Sequence, residues 1–208
     1  MPGSLSDWDH AYGVCNEEAL SWFQATPDRS LALIEEHAAL ADAVIDVGAG
    51  ASRLVDGLLA RGFTQVSALD LSGAALAISM ARLGDDAERV DWFIADVMRW
   101  IPSRRYQFWH DRAVFHFLTT AADRAAYVAA MLESITPGGY AAISSFAEDG
   151  PEMCSGQPVR RYSPEALASE LERWASGAFH LIVGEWHVHQ TPQGKEQRFQ
   201  TSLFRRWT

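Results

Sequence analysis

The segment VIDVGAGASRL at residues 44–54 narrows the possible folds of this chain more than any other feature. A run of branched apolar residues reads as a buried strand, Ala43–Val47, carrying one acid, Asp46. Gly48 and Gly50 follow at once, and a helix then places Leu54, Val55, Leu58 and Leu59 on one face. Glycine lets the backbone turn sharply and approach a ligand closely, because no Cβ intervenes. The helix N-terminus beyond such a turn presents free N–H groups and the positive end of a dipole, which suit a carboxylate or phosphate.

The rest of the chain repeats the alternation of short apolar runs with amphipathic stretches. Strands are expected at Val66–Leu69, Val90–Ile94, Tyr106–His110 and Tyr140–Phe146, the last entered through a turn at Pro137-Gly138-Gly139. Helices are expected from a capping residue and proline at Thr26-Pro27, from Ser72 to Leu83 with Gly84 as the stop, over Asp123–Ser134, and from Ser163-Pro164 to about Trp174. A short helical piece is placed at Val114–Leu118, and Gly62 is read as a C-cap. Residues 1–24 read as aromatic and irregular. Phe179–Val188 and Gln197–Phe204 read as two strands joined by a turn at Thr191-Pro192-Gln193-Gly194. Five strand–helix units and a terminal hairpin give an α/β, Rossmann-like, doubly wound and mostly parallel seven-stranded sheet with a C-terminal antiparallel hairpin. One domain is expected over 1–208, with 1–40 as an N-terminal cap or lid segment and 41–208 as the Rossmann-like core.

Charge and composition then remove whole classes of function. The formal net charge is −10, whereas nucleic-acid binders carry a basic face, so no nucleic-acid partner is expected. The basic pairs Arg104-Arg105, Arg160-Arg161 and Arg205-Arg206 read as solvated pairs. No run reaches the roughly 18 apolar residues of a membrane span, and the first residues lack the pattern of a signal peptide, so no membrane partner and a cytoplasmic setting are expected. Cys15 and Cys154 stand far apart and outside any metal-ligand spacing. His187 and His189 share one face of a strand, but no third ligand accompanies them, so no metal is expected.

Residues 43–146 resemble the core of the class I S-adenosylmethionine (SAM)-dependent methyltransferase family. Asp46-x-Gly48-x-Gly50 is similar to the family's first motif, with Ser52 where a third glycine often stands. Asp70, closing the second strand, resembles the acid that binds the SAM ribose; Leu71 follows it. Asp96 resembles the acid that contacts the adenine amino group, with Val97 beside it. YQFWHDRAVFHFL resembles the fourth-strand motif, in which residues near Asp111 line the methionine end and the acceptor, and TPGGY resembles the turn before strand five. The resemblance implies SAM as cofactor, S-adenosylhomocysteine (SAH) as product, and methyl transfer as the reaction.

Acceptor residues are expected in the variable segments. Tyr12, Trp22, Phe23 and Gln24 would form a lid, with Trp22 assigned to the cofactor. His110 and Asp111 are the candidates for catalysis, although a strand-end histidine is more often hydrogen-bonded scaffold, and His116 reads as core. The loop around Cys154 would cover the acceptor. Two narrower resemblances point to different acceptors. Trp8-Asp9, Tyr12, Ser21-Trp22-Phe23 and GAGASRLVDGLLARGF are similar to type 11/12 methyltransferases and to relatives that methylate protein lysines. Asp111-Arg112-Ala113 is similar to thiopurine and thiol methyltransferases. A small-molecule acceptor is the first reading and a protein lysine the alternative. A SAM-binding protein without catalysis is a third. A nicotinamide oxidoreductase ranks last, because its third glycine would fall at Arg53.

Overall fold

The computed structural model describes residues 5–14 and 16–207. Five parallel strands form the centre of one sheet: β1 (Ala43–Val47), β2 (Gln65–Asp70), β3 (Val90–Ile94), β4 (Tyr106–Arg112) and β5 (Ile135–Phe146). A small hairpin, β6 (Met153–Cys154) and β7 (Gln157–Pro158), stands apart. The terminal hairpin is β8 (Phe179–Gln190) and β9 (Glu196–Arg206). The seven-stranded sheet runs β3-β2-β1-β4-β5-β9-β8, with β9 antiparallel to both its neighbours. The chain winds outward from β1 to β3 and then crosses back to β4. That crossing opens a crevice beyond the C-terminal ends of β1 and β4, where α/β sheets bind ligands.

Alternation along each strand feeds two cores. Ile45, Val47, Trp109, Ile143 and Phe204 face one side, under α5 (Ala121–Ser134) and α6 (Pro164–Trp174). Val44, Val66, Phe108, Ala142 and Leu203 face the other, under α2 (Asp28–His37), α3 (Leu54–Ala60) and α4 (Gly73–Leu83). Helix ends follow local chemistry. Ser72 accepts from Ala75 N–H at 3.1 Å and caps α4, which stops at Gly84 with φ +57°.

Three sequence expectations change. Residues 1–24 are not wholly irregular, because α1 (Leu5–Val14) packs on α4. Its apolar stripe is too thin to signal a helix: Trp8 and Tyr12, four apart, carry the contacts. At α2, Pro27 takes the capping position, and Thr26 donates to the Asp28 side chain instead of capping the helix. Pro137-Gly138-Gly139 is not a turn before strand five but a bulge inside it. Tyr106 pairs with Ile135 and Phe108 with Tyr140, so residues 136–139 face Gln107 alone.

One buried ion pair ties the helical layer to the crevice. Arg124 of α5 donates through Nε to Glu170 of α6 at 2.7 Å and through Nη1 to the Leu118 and Thr119 carbonyls at 2.9 Å each. Arg124→Ala should therefore cost about 3 kcal/mol, because it leaves Glu170 charged and buried. Urea midpoints check this, and Arg124→Met with Glu170→Leu should recover most of the loss.

Candidate functional site

Asp46 and His110 are register partners on β1 and β4, at the mouth of the crevice. Their side chains meet on one face, with His110 Nδ1 2.7 Å from Asp46 Oδ1. The other ring nitrogen, Nε2, lies 2.8 Å from Ser30 Oγ on α2. The carboxylate is acceptor-only, so Nδ1 carries the proton and Nε2 accepts from the serine when the ring is neutral. The second oxygen of Asp46, Oδ2, is buried at the cavity wall without a partner among the described residues.

The glycine loop curls over this carboxylate. Gly48 and Gly50 both have positive φ, +69° and +52°. Gly48 and Ala49 N–H donate to the Leu69 carbonyl at 2.7 and 3.1 Å, tying the loop to β2. From α4, Arg82 clamps its outer side. It donates to the Ser52 carbonyl at 2.8 Å while paired with Asp56 and Glu17, partners that raise its pKa. Ser52 Oγ accepts from the N–H of Leu54, the first residue of α3, at 3.0 Å. Arg53 is ion-paired with Glu17 and Glu18 through Nη2, and its buried Nε has no partner among the described residues.

Asp70 ends β2 beside the loop and accepts from Gly50 N–H at 2.8 Å and Ser72 N–H at 2.7 Å. Burial pushes its pKa up to about 6, against the pull of those two donors. Tyr12 of α1 sits over Gly50 and accepts from Trp22 Nε1 at 3.1 Å, while burial and the nearby Asp70 raise its hydroxyl pKa. Trp8 meets both Trp22 and Phe117 edge to face. Asp96 follows β3, accepts from Met98 N–H at 3.0 Å, and lines the cavity with Leu71 and the buried Val97.

Nearly all of the residues singled out from sequence therefore come together. Asp46, Gly48, Ser52, Asp70, Leu71, Asp96, Val97 and Trp22 line one cavity with His110, Tyr12, Phe23, Gln24 and Cys154, and Gly50 borders it. Asp111 does not join them. Its carboxylate faces the core, taking a hydrogen bond from Tyr127 Oη at 2.5 Å and from the Val114 and Phe115 N–H groups at 2.8 and 3.0 Å. Burial pushes its pKa up to about 6. The expectation that Asp111 stands at the reacting end gives way to a structural placement, in which it pins the turn after β4, where Ala113 takes φ +73°. His116 is core, as expected: burial and Arg112 lower its pKa to about 3. Cys154 is buried with its thiol raised to about 11, and Cys15 lies outside the described residues. Among the described residues no cluster of three or more metal-ligating side chains forms, and no helix is long and apolar enough to cross a membrane.

Two contributors escaped the assignment of site residues from sequence. Ser30 lies in a segment with no motif around it. Arg112 followed Asp111 in a motif where the acid drew attention.

Residues 44–139 match the family described as a methyltransferase domain. No curated protein matches the chain. Many solved structures share its fold. A protein solved in work on converting a disulfide bond into a thioacetal group during echinomycin biosynthesis is 20% identical, with a TM-score of 0.75 over 98% of this chain and 92% of that one. The 1,6-didemethyltoxoflavin-N1-methyltransferase of Burkholderia thailandensis, bound to 1,6-didemethyltoxoflavin and SAH, is 22% identical with a TM-score of 0.70, covering 98% and 85%. The N-methyltransferase NodS of Bradyrhizobium japonicum, bound to SAH, is 13% identical with a TM-score of 0.68, covering 96% and 98%.

The loop and the turn after β4 press on each other, and this can be tested. A Cβ on Gly48 would lie 2.0 Å from Val114 Cγ2. Gly48→Ala should cost more than the roughly 1–2 kcal/mol of a left-handed alanine. Adding Val114→Ala should return the loss to that range, read as urea midpoints.

Proposed function

We propose that this chain, whose residues 44–139 match a methyltransferase domain, is a class I SAM-dependent methyltransferase whose cavity binds SAM and passes its methyl group to a small molecule. The observation that carries this reading is the orphaned Oδ2 of Asp46. A buried carboxylate oxygen without a donor is costly, and a ligand ammonium would satisfy it. The amino-acid end of SAM carries one. Arg53 Nε, also unpartnered and at the same loop, would meet the carboxylate of that end. Asp70 would take the ribose hydroxyls, and Asp96 the adenine amino group, with Leu71 and Val97 as apolar walls.

When bound, SAM supplies a methyl group already activated by its sulfonium. The chain's own task is to orient and to exclude water. His110 acts as a positioning residue here. One nitrogen fixes Asp46 and the other is spent on Ser30, which leaves no free lone pair for a proton from the acceptor. Trp8, Tyr12 and Trp22 form an aromatic lid across the crevice, and we read the segment ahead of α2 as this cover over a single catalytic domain. Two similar structures, at 22% and 13% identity, hold SAH, and the former also holds its small-molecule substrate. This favours a small acceptor over a protein lysine.

Binding should respond to pH through Asp70. The ribose hydroxyls donate to the ionised carboxylate, so SAH affinity should be flat above pH 7. It should fall as pH drops through about 6, approaching tenfold per unit below it. Calorimetric titration of SAH from pH 5 to 8 reads this, and Asp70→Asn should bind more weakly with the pH dependence gone. The same group sets a stability trend. Its folded pKa lies above the unfolded value, so the contribution of Asp70 to stability is most favourable below pH 4, declines between pH 4 and 6, and is constant above.

Asp46→Asn should weaken SAH binding by about 10- to 100-fold, the worth of one charged hydrogen bond. Methyl-labelled SAM mixed with the protein and a cell extract tests the acceptor. Label is expected in the small-metabolite fraction, and label confined to macromolecules would overturn that choice.

A further inference from the structure

Arg112 ends β4 at the wall shared by the main cavity and a second recess bounded by Ser144, His187 and Thr201. Its guanidinium is fixed from two sides. Nη1 donates to the Trp22 carbonyl at 2.9 Å, and the plane lies over the Phe199 ring, 5.2 Å from its centroid. The remaining two nitrogens, Nε and Nη2, are both buried and both without a partner among the described residues. Those two atoms form one edge of the guanidinium. Their N–H bonds run parallel and match the two oxygens of a carboxylate.

A buried cation with a bare bidentate edge is expensive to keep. Burial lowers the Arg112 pKa to about 10, which still leaves it charged at neutral pH. The groups around it do not answer the charge at hydrogen-bond range. Arg29 in the recess is paired with Glu185, and Asp111 is spent on its three donors. Ser144 and Thr201 donate within the sheet. His187 borders the same recess with its own buried Nδ1 unpartnered among the described residues, and burial with the nearby cations lowers its pKa to about 4, so it is neutral.

We propose that the free edge of Arg112 anchors a carboxylate on the methyl acceptor, held between the main cavity and the recess, so that the substrates are small carboxylic acids. This rests on the methyltransferase reading above. The cofactor also carries a carboxylate, but Arg53 stands at the glycine loop to receive it. The recess beside Arg112 includes no residue of that loop.

The test uses the full chain, methyl-labelled SAM and a small-metabolite extract. Half of the extract is first treated with a carbodiimide and an amine, which converts carboxylates to amides. We expect label in untreated extract and at least tenfold less after amidation. Label that survives amidation overturns the carboxylate assignment alone; absence of label from untreated extract sinks the methyl-transfer reading and this inference together. A second arm addresses the source of the carboxylate. Arg112→Lys keeps the charge but loses the fork. It should bind SAH within about twofold of the parent and incorporate label slowly in dilute extract, recovering as the extract is concentrated. A tenfold loss of SAH affinity with unchanged 5′-methylthioadenosine affinity, that ligand lacking the amino-acid end, would place the cofactor's carboxylate on Arg112 and overturn the proposal.

Discussion

The contact between Asp46 and His110 is the interaction on which the site depends. It crosses from β1 to β4, the two strands that flank the point where the winding reverses. A crevice there is a topological necessity, but its chemistry is not. Two polar residues in register, 2.7 Å apart, turn an apolar strand junction into a fixed acceptor. Ser30 holds the far side of the ring and so couples α2 to the same point. With one carboxylate oxygen fixed by the histidine, the other is left buried at the cavity wall without a partner among the described residues. Orientation is achieved before any ligand arrives, which lowers the entropy that binding must overcome.

A second polar hub works in the opposite sense. Asp111, one residue after His110, points to the other face of β4, and its oxygens accept three hydrogen bonds. Tyr127 Oη, itself an acceptor from Trp109 Nε1 at 2.9 Å, links that carboxylate to α5. The turn so pinned contains the left-handed Ala113 and sets Val114 against Gly48. Backbone strain of this kind persists where the surroundings over-determine it. Neighbouring residues of one strand thus divide the work: His110 and Arg112 face the cavity, and Asp111 fixes the turn that aims them.

This division explains what could be read from the sequence and what could not. The glycine loop, the Ser72 cap and the Gly84 stop are local signals, in which a residue type answers a backbone need within four positions. They were legible, as were the central strands, whose apolar runs reflect burial on both faces. Asp46, Asp70 and Asp96 stand at or just beyond the ends of three successive strands and line one cavity, because strand ends share one rim of the sheet. The side a strand-end residue faces is a matter of register with its neighbour. Asp111 and Arg112 are adjacent in sequence, and nothing local says which of them meets the cavity. The α1 helix was hidden for a related reason. Its cause is non-local: two rings and Asp9, which accepts from Ser72 Oγ at 2.6 Å, dock it onto the loop and α4.

Charge is arranged along the cavity as deliberately as shape. Asp46, Asp70, Asp96 and Glu17 line the side of the first three strands, in a chain of net charge −10. Among the described residues, the unpartnered guanidinium donors are Nε of Arg53, at the glycine loop, and Nε and Nη2 of Arg112, at the end of β4. An acid-rich wall favours a cationic ligand, and at Asp70 burial, with a smaller push from Asp46, raises the cost of ionisation. The donors left over on Arg53 and Arg112 each offer a fixed place for an anion. Such a cavity suits partners that bring both signs of charge. Binding a sulfonium amino acid beside a carboxylate acceptor would satisfy the leftover donors, neutralise Arg112, and leave the acids facing the cofactor's positive groups. The unpaired atoms are then explained together, as one electrostatic template completed only when both substrates are present.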